Sequence, residues 1–217
     1  MEIWLDTTNI ELIKSAEQLG ILYGVTTNPS ILAKSGRGIE KTLQEILDAQ
    51  GGPVTTQVVA DNADGMISEA DRFRTISDRI IIKVPVTVEG LKAIHLLSRQ
   101  GIPTMATTVF HPNQALLAAL AGADFVAPYL SQMEKAGEKA GENALELLQS
   151  MMQIFSNYHF ETKILVASLQ DTSRVKQCAE IGVHGVTLKD DVFNMLIENN
   201  GLTMQRLDQF TRDWAGS

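Results

Sequence analysis

Ile80-Ile81-Ile82-Lys83-Val84-Pro85-Val86 places one ammonium inside a run that otherwise reads as a strand of a parallel sheet, buried on both faces. A charge buried without a partner costs several kcal/mol, so Lys83 must find an acceptor, reach water along its aliphatic stem, or lose its proton. The last state is a nucleophilic amine, the species that forms Schiff bases with carbonyl substrates. The alternative is a strand-end lysine whose stem covers apolar surface while its head stays wet.

Working outward from this stretch, short apolar runs alternate with helical patterns along the chain. Strands are expected over residues 3–7, 24–28, 54–59, 80–86, 103–109, 125–130, 163–169 and 185–189. Helical spacing falls between them, over 10–19, 39–49, 63–76, 89–99, 112–121, 140–155, 173–181 and 191–197. Thr87, the His111-Pro112-Asn113 turn and Thr172-Ser173 supply helix-start signals. Eight alternating units imply right-handed crossovers and a parallel sheet that closes, the (β/α)8 or TIM barrel. A doubly wound open sheet is the alternative, but neither G-x-G-x-x-G nor G-x-x-x-x-G-K-[ST] occurs. The expected organisation is one barrel domain over 1–217, with no Ser/Pro/Gly-rich linker. An additional C-terminal helix, 203–215, repeats Met204, Leu207, Phe210 and Trp214 at helical spacing and needs a surface to cover, its own barrel's or a neighbouring subunit's.

Composition narrows the function classes. The 217 residues carry a net charge of −8 and no basic stripe, which argues against a nucleic-acid partner. The apolar runs are too short for a membrane span, and the N-terminus has no basic region followed by an apolar one, so a cytoplasmic protein is expected. The single cysteine, Cys178, fits a reducing compartment and reads as a small core residue. His95, His111, His159 and His184 fit no ligand spacing, so no metal and no metal-dependent carbonyl activation is expected. His111 reads as a cap, and Asp190-Asp191 as caps of the helix that follows.

In a closed barrel, side chains alternate inward and outward, and chemistry gathers where strands end. Polar residues recur at such places: Asp6 on the first strand, Thr26 and Asn28 on the second, Gln57 on the third and Lys83 on the fourth. Thr107, Tyr129 and Ser168 follow on the fifth, sixth and seventh. Packing alone would fill these layers with Val, Ile and Leu. With Lys83 as nucleophile, Tyr129 is the candidate proton shuttle, through a water held by Gln57 and Thr107, and Asp6 faces the cationic iminium. Asn28 and Ser168 suit the hydroxyl groups of a polyol.

Several segments together resemble the small class I aldolases of the transaldolase superfamily, and within it the fructose-6-phosphate aldolases. They are Trp4-Leu5-Asp6-Thr7, Gly24-Val25-Thr26-Thr27-Asn28-Pro29-Ser30, Ile82-Lys83-Val84-Pro85-Val86-Thr87, Val126-Ala127-Pro128-Tyr129 and Val166-Ala167-Ser168. The resemblance covers essentially the whole chain. It implies a cofactor-free Schiff-base enzyme that transfers or releases a dihydroxyacetone unit, with Lys83 as the iminium lysine. Related transaldolases carry a glutamate where Gln57 stands, and Gln57 with Tyr129 resembles the aldolase branch. The resemblance also implies a homo-oligomer, a pentameric ring or a pair of rings forming a decamer, in which the last helix reaches a neighbour.

The chain departs from that family at two positions. Family members hold the acceptor's phosphate with an arginine and a second basic residue, and the matching positions here are Gln132 and Gln170. Glutamine donates hydrogen bonds without the charge that makes phosphate contacts strong, and Glu134 and Asp171 would oppose a dianion. A small-molecule carbonyl substrate with an uncharged or differently charged aldehyde acceptor is therefore expected. Lys189 or Arg174 could restore a positive charge from another loop. A transaldolase proper and a non-catalytic sugar-phosphate-binding barrel are the competing functions.

Overall fold

The computed structural model describes residues 1–216. Its elements begin with β1 (Glu2–Asp6), α1 (Ile10–Gln18), β2 (Leu22–Thr26), α2 (Pro29–Lys34), α3 (Ile39–Ala49), β3 (Val54–Gln57) and α4 (Ala63–Arg74). The middle of the chain gives β4 (Ile80–Pro85), α5 (Val88–Arg99), β5 (Thr104–Val109), α6 (Pro112–Ala121) and β6 (Phe125–Pro128). Then come α7 (Leu130–Ala140), α8 (Ala144–Asn157), β7 (Lys163–Val166), α9 (Thr172–Ile181), β8 (Gly185–Leu188), α10 (Asp190–Ile197) and α11 (Gly201–Ala215). The strands close into a parallel barrel in chain order, with β8 beside β1. This is the (β/α)8 barrel with an added C-terminal helix that the alternation of the sequence predicts.

The two hydrophobic clusters follow the two parities of the strands. Leu5, Val25, Val54, Ile80, Ile82, Val84, Ala106, Val126, Ile164 and Val186 point outward and pack with the helices in one continuous layer. Trp4, Ile81, Met105, Phe125, Ala127 and Leu165 form a separate cluster, with Tyr129 packed against it. Period-two alternation makes this second cluster the barrel interior. Asp6, Lys83, Thr107 and Tyr129 share its parity and continue it toward the C-terminal ends of the strands.

Short polar side chains start the helices. Asn28, Asn62, Thr87, His111 and Asp171 each accept a hydrogen bond from a backbone N–H of the first turn, each such cap being worth about 1 kcal/mol. His111 also completes a capping box with Gln114.

Several boundaries differ from those expected. Two helices replace the single one at 140–155, because Leu130–Ala140 is already helical and breaks at left-handed Gly141 before α8. The buried face of α7 is Leu130, Ser131, Met133 and Gly137, too small and polar to show as an apolar stripe. The six-residue α2 buries only Leu32 and so carries no period to read. The N-cap of α9 is Asp171, one residue before Thr172-Ser173. The N-cap of α10 is Lys189; Asp190 and Asp191 lie in its first turn, where acidic side chains favour the helix dipole.

No helix of the described residues is long and apolar enough to cross a membrane. Cys178 is fully buried, and burial pushes its thiol up to about 12. No residue of α11 is buried among those described, and Leu202, Leu207 and Phe210 lie at least half exposed along it.

Candidate active site

Lys83 is 4% exposed, and its Nζ donates to the backbone carbonyl of Thr27 at 3.1 Å. That carbonyl is held from β3. Thr27 N donates to Thr55 Oγ1 at 3.2 Å, and Thr27 Oγ1 donates to Thr55 O at 2.6 Å. Gln57 is the register partner of Lys83 on the adjacent strand, so both side chains leave the sheet on the inner face of the barrel. Lys83 therefore has an acceptor within the barrel, and that acceptor is a neutral main-chain oxygen.

One layer nearer the C-terminal end, Thr107 Oγ1 and Tyr129 OH lie 2.8 Å apart. Phe110 packs edge-on against the Tyr129 ring, with centroids 5.9 Å apart, and fixes its plane. Between Thr107 and Phe110 the backbone leaves regular geometry. The β5–β6 register slips between Ala106 and Val109, and Thr108 takes a φ of 58°, rare for a β-branched residue.

Asp6, at the end of β1, accepts from Thr26 Oγ1 at 2.8 Å. Burial holds its carboxyl above the usual range, while the charge of Lys83, the Thr26 hydrogen bond and Lys189 pull it back down. Thr26 Oγ1 is also 2.7 Å from Thr187 Oγ1 on β8. Asn28 lies beyond the end of β2 rather than on it, as the N-cap of α2. Its Oδ1 is committed to Ile31 N at 3.0 Å, leaving the Nδ2 donor for a ligand.

Ser168 also lies past its strand, which ends at Val166, and its φ of 64° breaks the alternation. Its Oγ lies 2.7 Å from Ser131 Oγ, and Ser131 donates to Gln132 Oε1 at 3.1 Å. Gln170 Nε2 reaches the Ser168 carbonyl only at 3.5 Å. Arg174, four residues beyond Gln170, is paired with Glu134 at 2.7 Å and donates to Gln177. The rim formed by Ser131, Gln132, Ser168 and Gln170 is thus made of hydroxyls and amides.

Of the predicted residues, Asp6 bonds with Thr26, Thr107 with Tyr129, and Ser168, Gln132 and Gln170 join through Ser131 and the Ser168 carbonyl, while Lys83 and Gln57 share strand register and Asn28 serves as a helix cap. Four contributors were not singled out by sequence: Thr55, Ser131, Thr187 and the Thr27 carbonyl. The threonines read as ordinary strand formers, and a carbonyl carries no residue signal at all. Among the described residues, no three His, Cys, Asp or Glu side chains come together as a metal site. A separate cavity of about 640 Å³ opens at the opposite end of the barrel, beside Tyr23, Phe125 and Lys163. Chemically, the C-terminal end offers a buried amine, a phenol–hydroxyl pair able to move a proton, and a carboxyl that responds to the amine's charge.

A family model described as transaldolase/fructose-6-phosphate aldolase matches residues 3–215. A protein of Coprothermobacter proteolyticus named probable transaldolase is 42% identical over 215 residues, covering 99% of this chain and 97% of its own length. Probable transaldolases of Methanococcus vannielii and Clostridioides difficile are 41% and 40% identical, covering 99% and 100% of this chain and 97% and 98% of their own lengths.

Proposed function

Because the chain belongs to the transaldolase/fructose-6-phosphate aldolase family of enzymes, we propose that it is a class I aldolase that forms or cleaves a ketose through a Schiff base on Lys83. The observation that carries this reading is the fully enclosed Lys83 amine, facing a neutral carbonyl, one layer below the Thr107–Tyr129 hydroxyl pair. The amine adds to the ketone carbon, and the carbinolamine loses water to give an iminium whose positive charge Asp6 faces. Tyr129, hydrogen-bonded to Thr107 and left a phenolate after giving its proton to the departing carbinolamine hydroxyl, takes the proton from the C4 hydroxyl as the C3–C4 bond breaks, and the bonding electrons pass to the iminium to form an enamine. The aldehyde leaves, the enamine is reprotonated, and water releases dihydroxyacetone and free Lys83. Gln57, neutral where a glutamate would be a stronger base, supports dihydroxyacetone as a free product or donor.

The rim supports an acceptor aldehyde that lacks a phosphate dianion. Gln132 and Gln170 are neutral, and Arg174 is already paired with Glu134. We read residues 1–217 as one barrel domain. Its exposed α11 would cover part of a neighbouring subunit, in the pentameric or decameric ring that the resemblance implies, in the cytoplasm and with no cofactor. The names of the relatives favour a second reading, a transaldolase that passes the dihydroxyacetone unit between sugar phosphates.

Borohydride added with dihydroxyacetone should leave a reduced adduct on Lys83, read by peptide mass spectrometry. An unmodified Lys83 sinks the Schiff-base mechanism. Product from dihydroxyacetone and an aldehyde, with no sugar donor present, separates aldolase from transaldolase. A kcat/KM for D-glyceraldehyde at or above that for its 3-phosphate is expected from the neutral rim.

A further inference from the structure

Asp6 sits on β1, between β2 and β8, and Thr26 and Thr187, one from each flanking strand, form a pair of hydroxyls that reaches it. Thr26 Oγ1 donates to Asp6 Oδ1 at 2.8 Å and lies 2.7 Å from Thr187 Oγ1. A hydroxyl has one proton to give. With that of Thr26 given to Asp6, the second contact is a hydrogen bond only if Thr187 is its donor. We propose that Thr187 is a positioning residue for Asp6, the far end of a one-way hydroxyl chain Thr187→Thr26→Asp6 that holds the carboxylate ionised and aimed at the Lys83 iminium.

The direction of the chain is what gives it an effect. Reversed, a protonated Asp6 would donate to Thr26 and Thr26 to Thr187, whose own proton would need a further acceptor. Thr26 is the side-chain partner of Thr187 among the described residues, and Thr187 is 4% exposed. The reversed chain therefore ends in an unsatisfied buried donor, while the forward chain ends on a charge that strengthens each bond along it. Three charged groups bear on Asp6: Lys83 from β4 and Lys189 from the end of β8 favour the carboxylate, and Asp190 at the start of α10 disfavours it. Burial is the largest influence against ionisation, and the charge of Lys83 and then the Thr26 hydrogen bond counter part of it.

The inference rests on the assignment of Asp6 to the iminium, and the test separates the two. Thr187→Val keeps the shape and removes the donor; Thr187→Ser keeps the donor. In Thr187→Val the acid limb of kcat/KM should move up by roughly half a pH unit to one unit, because the carboxylate loses support and protonates earlier. Turnover at neutral pH should fall roughly twofold to tenfold, and Thr187→Ser should restore both. A Thr187→Val profile that superimposes on that of the parent overturns the proposal. So does a serine variant as impaired as the valine one, which would mark a packing role. Should the valine variant not fold, Thr187→Ala carries the same comparison. Failure of borohydride trapping in the unaltered enzyme would defeat the Schiff-base reading itself, whereas normal trapping with an unmoved acid limb defeats only the role given to Thr187.

Discussion

Two lysines face the barrel interior, one at each end, and they have opposite partners. Lys163, at the start of β7, meets the Glu2 carboxylate at 2.6 Å, with its Nζ 5.4 Å from the Tyr23 ring centroid and 5.8 Å from that of Phe125. The Glu2 hydrogen bond raises its affinity for a proton against the effect of burial. Trp4 lies beside this pair, 5.2 Å from Tyr23 and 5.6 Å from Phe125, with its Nε1 donating to Glu2. Gly24 makes room for the indole: a Cβ there would come 2.8 Å from the ring. This end is a floor of paired charge and tilted or edge-on rings, beside which the cavity of about 640 Å³ opens. At the other end Lys83 is more deeply buried, yet its hydrogen bond goes to an uncharged carbonyl. Lys163 is thus tied to a carboxylate by a direct hydrogen bond, whereas Lys83 meets the Asp6 carboxyl only through its charge and gives its hydrogen bond to a neutral oxygen.

The largest effect that would break this comparison is the exchange of activity between the two ends. Lys83→Met should lower kcat by about ten-thousand-fold or more while raising the melting temperature, since an apolar chain of similar length replaces a buried polar head. Lys163→Met should keep turnover within about threefold of the parent, because it touches no reacting group. Comparable activity losses in the two variants would erase the distinction.

A smaller effect tests the floor as packing. Trp4→Ala should cost about 3–5 kcal/mol by analogy with other large-to-small core changes, lowering the melting temperature by roughly 2–4 °C per kcal/mol for a chain of this size. The folded fraction should still be trapped by borohydride. A Trp4→Ala protein that melts with the parent would mean the floor carries no stability.

The smallest effect sharpens the electrostatic half. Lys163 is about two-fifths exposed, so its ion pair with Glu2 is expected to contribute no more than about 1 kcal/mol. Because folding raises its proton affinity, that contribution is complete below the unfolded value near pH 10 and is lost as pH rises through the folded one. The stability difference between the parent and Glu2→Gln, from urea unfolding, should therefore shrink between pH 9 and roughly pH 11. A difference that grows over this range would contradict the sign.

Sequence legibility differs sharply between the two ends. The barrel is readable because outward Val, Ile and Leu alternate with inward residues over eight spaced runs, and Lys83 is readable because it interrupts the most apolar of them. The floor is not. Glu2, Tyr23 and Lys163 lie far apart in the chain, and nothing in their spacing announces one cluster. The helix α7 is hidden because Ser131 and Gly137 occupy its buried face. Ser168 and Asn28 read as strand residues, yet each lies beyond its strand: Ser168 because a left-handed backbone ends the alternation, Asn28 because it is recruited to cap α2. Thr187 is hidden for another reason, since threonine in a strand is what β-propensity alone would supply.

The acceptor that holds Lys83 has a genetic consequence. It is the carbonyl of Thr27, and every codon at position 27 encodes one. Alanine scanning would leave that oxygen in the chain and could disturb it only by moving it, at Thr55, whose hydroxyl accepts from the residue 27 amide, or at Thr27, whose hydroxyl donates to the Thr55 carbonyl. A survey of single substitutions would thus report these two hydroxyls as the anchor of the lysine, although the oxygen is the group in contact. Removing it takes a change of backbone chemistry rather than of side chain.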